Sequence, residues 1–111
     1  MITRGVAVYF AVGAFDLRGA FDRLAGITQQ VLGLDPASGA LFLFVNRRKN
    51  RLKALWWDRN GYTILYKRLS KSTFNVVQAP ASKAAYVEIS ATDFALLIAG
   101  LPIESSADRL H

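Results

Sequence analysis

NRRKNRLKALWWDRNGYTILYKRL, residues 46–69, is the stretch on which the fold turns. Arg47-Arg48-Lys49-Asn50 is polar enough for a hairpin loop, and Arg51 to Asp58 then has strand length. Arg59-Asn60-Gly61 supplies the next turn; the Asn-Gly pair accepts the positive φ angles of a tight hairpin, which predicts that Tyr62 to Leu69 runs back antiparallel. Upstream, Leu41 to Val45 is an all-apolar run of strand length. Together these predict a three-strand antiparallel meander. Strand alternation sends Leu52, Ala54 and Trp56 to one face and Arg51, Lys53, Leu55 and Trp57 to the other. On the next strand it separates Thr63, Leu65, Lys67 and Leu69 from Tyr62, Ile64, Tyr66 and Arg68. Neither face is cleanly polar, so the sheet needs cover on both sides: a helix layer on one, and on the other a partner, be it a second subunit, another protein or nucleic acid.

The same stretch concentrates charge. Nine of the 14 Lys and Arg residues lie between Arg47 and Lys71 against one acid, Asp58, so this segment carries +8 and the rest of the chain −2 of the net +6. With 52% apolar residues among 111, the chain suits one folded domain with a single core, and the charge sits on a folded body. A basic patch on such a body favours polyanions or acidic protein surfaces.

Working outward, Val6 to Val12 is a continuously apolar strand, expected to be central in the sheet. It runs into Asp16 and Arg18 without a small-residue cleavage site, so it reads as a buried strand and not as a secretion signal. Asp16 is a candidate N-cap, and Leu17, Phe21, Leu24, Ile27 and Val31 form a helical stripe closed by Gly33. Asp35-Pro36-Ala37-Ser38-Gly39 is a loop. After the meander, Phe74 to Val77 has the length of a short strand, Gln78 to Ala85 reads as a loop and Tyr86 to Ile89 as a last strand. Ser90-Ala91-Thr92-Asp93 resembles a capping box opening a second helix with Phe94, Leu97, Ile98 and Leu101 on one face. Residues 1–102 are thus expected to form one α+β domain, an antiparallel β-meander sheet with two helices packed mainly on one face, and 103–111 a flexible tail.

No cysteine is present and the only histidine is His111, which leaves no Cys-bearing zinc site and no multi-histidine site within the chain. A two-metal strand-transfer centre needs about three clustered carboxylates. Of the candidates, Asp16 and Asp93 read as caps, Asp35 as a turn residue, Asp58 as a turn pin beside Arg59, and Asp22 as an ion-pair partner of Arg18, leaving no triad with Glu88. No glycine-rich phosphate loop occurs. No catalytic residue, cofactor or metal is therefore expected. The expected activity is nucleic-acid binding, with Arg47, Arg48, Lys49, Arg51, Lys53, Lys67 and Arg68 meeting phosphates and Trp57 and Tyr66 stacking, while Trp56 packs in the core. The alternative is an adaptor or dimerising module that docks a protein without touching DNA.

The ordered set Asp16-Leu17-Arg18-Gly19, Phe21-Asp22, Asp35-Pro36, Leu41-Phe42, Arg47-Arg48, Arg51-Leu52-Lys53, Leu55-Trp56-Trp57-Asp58, Gly61 and Leu65-Tyr66-Lys67-Arg68-Leu69 resembles a known family. It is the short accessory protein encoded by the second open reading frame of insertion-sequence-66 transposons, often called TnpB. The resemblance covers nearly the whole chain. It departs at Phe74-Asn75-Val76-Val77, where relatives carry a Phe followed shortly by Trp-Pro. It implies a role beside a separate, larger transposase in DNA transposition, at transposon ends, in a bacterial cytoplasm or nucleoid; no membrane association is expected, since no segment approaches the ~18 apolar residues needed to span a bilayer.

Overall fold

All five residues of the apolar run Leu41–Val45 are buried, and they form β2, the middle strand of a five-stranded sheet. The structure, a computed structural model, describes residues 5–76 and 83–103. On one side of β2 lies β3 (Arg51–Asp58), antiparallel, followed by β4 (Gly61–Arg68), also antiparallel. On the other side lies β1 (Val8–Ala11), parallel to β2, and then β5 (Tyr86–Ile89), antiparallel to β1. The order is β4-β3-β2-β1-β5, so the expected meander is present and β1 is interior. Register pairs Asp58 with Gly61, which makes Arg59-Asn60 the two turn residues in place of Asn60-Gly61. Arg59, with φ 60°, takes the left-handed conformation, and Gly61 opens β4.

The two faces carry separate clusters. Val8, Phe10, Leu41, Leu43, Val45, Leu52 and Ala54 pack with Phe74, Trp56 and Leu65 beneath Phe94 and Leu97 of α2 (Ala91–Ile98). Ala11, Phe42, Phe44 and Leu55 pack with Tyr9, Tyr62 and Ile64 beneath Leu17, Leu24 and Leu32. Leu24 belongs to α1 (Phe21–Ile27). The α+β class holds, but each helix takes its own face where both were expected mainly on one. The cause is topological: a connection between adjacent parallel strands must cross a sheet face, so β1 to β2 carries α1 over one side. α2 follows β5 onto the other. The face left open for a partner is therefore covered by the chain's own residues.

Helix α1 starts later than the stripe suggests. Asp16 is not its N-cap: its Oδ1 accepts from the backbone N of Arg18 at 3.0 Å, and Ala20, which offers no side-chain acceptor, holds the cap position. After Ile27 the helix widens into a π-turn, Thr28–Leu32. Through the wider turn the buried side continues from Leu24 to Thr28 and Leu32, leaving Val31 56% exposed; Phe21, in the first turn of α1, is 43% exposed. Thr28, fully buried, satisfies its hydroxyl by donating to Leu24 O at 2.8 Å. Gly33, at φ 70°, ends the element, and Leu34 N donates back to Thr28 O at 3.1 Å.

At α2 the expected cap is present, Ser90 Oγ accepting from Asp93 N at 3.0 Å. Leu101 lies beyond the end of the helix and is half exposed. Phe74 to Val76 form no strand; Phe74 is buried and its N donates to Lys49 O, which folds this segment against the β2–β3 hairpin. Val77 and Gln78 to Ser82 lie outside the described residues, as does most of the expected tail, 104–111. Ile103, assigned to that tail, packs on the α2-side cluster.

Candidate nucleic-acid interface

The hairpin between β2 and β3 is held by one side chain. Asn46 Oδ1 accepts from Asn50 N and Arg51 N at 3.1 and 3.0 Å, and its Nδ2 donates to Asn50 Oδ1 at 2.8 Å. Lys49 takes a left-handed φ of 61° to close the turn. The loop presents Arg47, Arg48 and Lys49 to solvent. Leu69 N donates to Asn50 O at 2.8 Å, so the segment bearing Lys71 lies against the same tip. Arg68 is exposed opposite Arg51 in the β3–β4 register. One end of the sheet thus gathers six of the chain's 14 basic residues, Arg47, Arg48, Lys49, Arg51, Arg68 and Lys71.

Beside this tip runs a groove of about 790 Å³. Its first wall is Ala14 to Arg18, part of a strap that leaves β1 at Gly13 (φ 125°) and turns into α1 at Gly19 (φ 96°). Its second wall is Asn46, Arg47, Arg48, Arg51, Lys53 and Tyr66. Tyr66, 51% exposed, is fixed from two sides: its hydroxyl accepts from Arg51 Nη1 at 2.8 Å, and the Lys53 ammonium stands 5.0 Å from its ring centroid. Phe15 is braced edge-on against Phe44, centroids 5.4 Å apart. Asp16, the groove's one acid, is gripped by the Arg18 guanidinium, with Nη2 at 2.7 Å and Nε at 3.0 and 3.1 Å. That fork holds the Asp16 carboxyl well below the usual carboxylate range and raises the Arg18 guanidinium.

The nine residues expected to bind nucleic acid divide. Arg47, Arg48, Lys49, Arg51, Tyr66 and Arg68 share the basic end. Lys53 lines the groove, but its ammonium donates to Leu17 O at 2.6 Å and Gly19 O at 3.0 Å, tying the strap to β3. Lys67 is on the opposite face, donating to Ile98 O at 2.6 Å at the C-terminus of α2. Trp57 lies six residues from Arg51 along β3, about 20 Å at strand rise. There its Nε1 donates to Arg59 O and its ring packs edge-on against Tyr62 at 5.0 Å. Sequence reasoning missed Phe15, Asp16 and Arg18. The glycines at 13 and 19 were the available signal, since they bracket a segment too irregular for the helix assigned to it.

Fold and groove define a small basic α+β protein whose described residues contain no cluster of three His, Cys, Asp or Glu able to hold a metal ion. The family model described as IS66 Orf2 like protein matches residues 6–108, and the chain belongs to that family. The chain is similar to the uncharacterized protein y4hO of Sinorhizobium fredii, 34% identical over 98 residues, covering 88% of this chain and 83% of the relative. It is also similar to the uncharacterized protein y4jC of the same organism, 30% identical over 99 residues, covering 89% and 82%. No solved structure gives a significant match. Family membership makes this an accessory protein of insertion-sequence-66 transposition. No helix among the described residues is long and apolar enough to cross a membrane.

Proposed function

We propose that the protein is a non-catalytic factor that binds DNA at the transposon ends in the bacterial cytoplasm, working beside the element's transposase. The observation carrying this reading is the basic end of the sheet. Arg47, Arg48, Lys49, Arg51 and Arg68 form no ion pair among the described residues, and the one acid of the adjoining groove is neutralised by Arg18. Such a surface has favourable charge for a polyanion and nothing nearby to cancel it, and phosphate neutralisation supplies most of non-specific affinity. Three of the acids have local placements that support a non-catalytic role: Asp16 is held by Arg18, Asp35 Oδ1 accepts from Ala37 N, and Asp93 is buried in the first turn of α2.

The test is capture of terminal-repeat DNA and of transposase by the full chain and by an Arg47→Ala, Arg48→Ala, Arg51→Ala variant, with circular dichroism to check folding. The reading expects DNA capture to be lost and transposase capture kept. The reverse pattern would replace it with a protein adaptor.

A further inference from the structure

Building on the nucleic-acid reading, we infer that the groove between the strap 13–20 and the β2–β3 hairpin takes a single-stranded segment, one base of which stacks on Tyr66. Three features carry this. The groove is concave and contains an exposed aromatic ring among cations, whereas the neighbouring hairpin tip carries cations alone. The ring is immobilised before any ligand arrives, by Arg51 on its hydroxyl and by Lys53 over its π face, and Lys53 is itself fixed to the strap. Stacking on it therefore costs little further ordering. Finally, Phe15 on the facing wall is apolar and anchored on Phe44, a surface for a sugar or second base, while Arg47 and Arg48 stand at the rim for the flanking phosphates.

Duplex DNA cannot use this arrangement fully. Its base faces are covered by their neighbours in the stack, so a paired base offers nothing to the Tyr66 ring, and its phosphates would meet only the tip. A single strand offers both a bare π face and a backbone that follows a narrow basic groove. Trp57, the larger aromatic, is a poorer platform because it lies about 20 Å along β3 from Arg51 and outside the groove, with its Nε1 donating to Arg59 O.

The test uses a fluorescein-labelled thymidine 12-mer, alone and annealed to its complement, titrated with the wild-type chain and with Tyr66→Phe, Tyr66→Leu and Tyr66→Ala. Tyr66 is half exposed, so all three variants should fold, and Tyr66→Leu keeps bulk while removing the ring. The expected result is a loss of about five- to 150-fold on the single strand for Tyr66→Ala and Tyr66→Leu, with Tyr66→Phe within about threefold of wild type. Duplex affinity should change by less than about twofold, because phosphate contacts alone remain. Equal losses on both DNAs, or none on the single strand, would overturn this inference while leaving the nucleic-acid reading intact. Failure of the wild-type chain to bind either DNA at low salt would remove both.

Discussion

Lys53→Met separates a structural from a phosphate-binding lysine. The Met side chain retains the apolar stem and removes the ammonium that joins β3 to the strap through Leu17 O and Gly19 O. Hydrogen bonds from a charged donor contribute about 1.5–3 kcal/mol each. The Gly19 carbonyl is exposed and rehydrates once released, so only the part-buried Leu17 bond counts in full. The net loss is then about 2 kcal/mol, which for a domain near 100 residues lowers Tm by about 8 °C. Thermal unfolding followed by circular dichroism reads this directly. In parallel, the slope of log K against log salt for DNA should be unchanged, because two of the ammonium's three N–H groups are committed to the strap and hold it there. An unshifted Tm together with a slope shallower by about 0.7–0.9, the value of one phosphate, would refute the assignment.

Lys67→Met should behave similarly at the opposite face, losing about 1.5–2 kcal/mol and about 6–8 °C through the freed Ile98 carbonyl, with DNA affinity within about twofold; a large affinity loss with normal Tm would contradict its place under α2. Ser90→Ala removes the acceptor for Asp93 N and should cost about 1 kcal/mol, near 4 °C, whereas Ser90→Gly should cost only a few tenths, measurable by urea unfolding. Asp16→Asn removes the groove's negative charge and loosens the fork on Arg18, so single-stranded DNA should bind about fivefold more tightly in an anisotropy titration; weaker binding would mean the fork itself shapes the groove. Because the folded Asp16 pKa is depressed, the pair's contribution is fully present above the unfolded carboxylate's titration near pH 4 and is lost only as pH falls through the lower folded value. Across the neutral range that fork should therefore add no pH dependence to stability.

How much of this was legible depends on how local each cause is. β2, β3 and β5 have the bounds expected from their apolar runs and turns, because alternation and turn chemistry act within a few residues. The Ser90 cap is likewise written in four consecutive residues. The strap 13–20 is different: it is held away from the helix by Lys53, 36 positions from Leu17, and no local pattern reports that contact. The π-turn was hidden for a similar reason, since burial of Thr28 and Leu32 against the sheet, and not the intrinsic preference of Thr28-Gln29-Gln30, selects the wider turn. For the site, charge counting located the basic end but could not distinguish Arg47 from Lys67. The strand alternation already set Lys67 with Leu65, away from Tyr66; following it would have set Lys67 apart from the basic end, as the bond to Ile98 O places it.

On the proposed function, cations at the β2–β3 end neutralise nucleic-acid phosphates. Fluorescence anisotropy with a single-stranded oligonucleotide, repeated from about 50 to 200 mM salt, tests it most directly. With five contributing cations the slope of log K against log salt should be about −3.5, falling to about −1.4 in the Arg47→Ala, Arg48→Ala, Arg51→Ala variant. A slope near zero for the wild-type chain, or one that the triple substitution leaves unchanged, would contradict it.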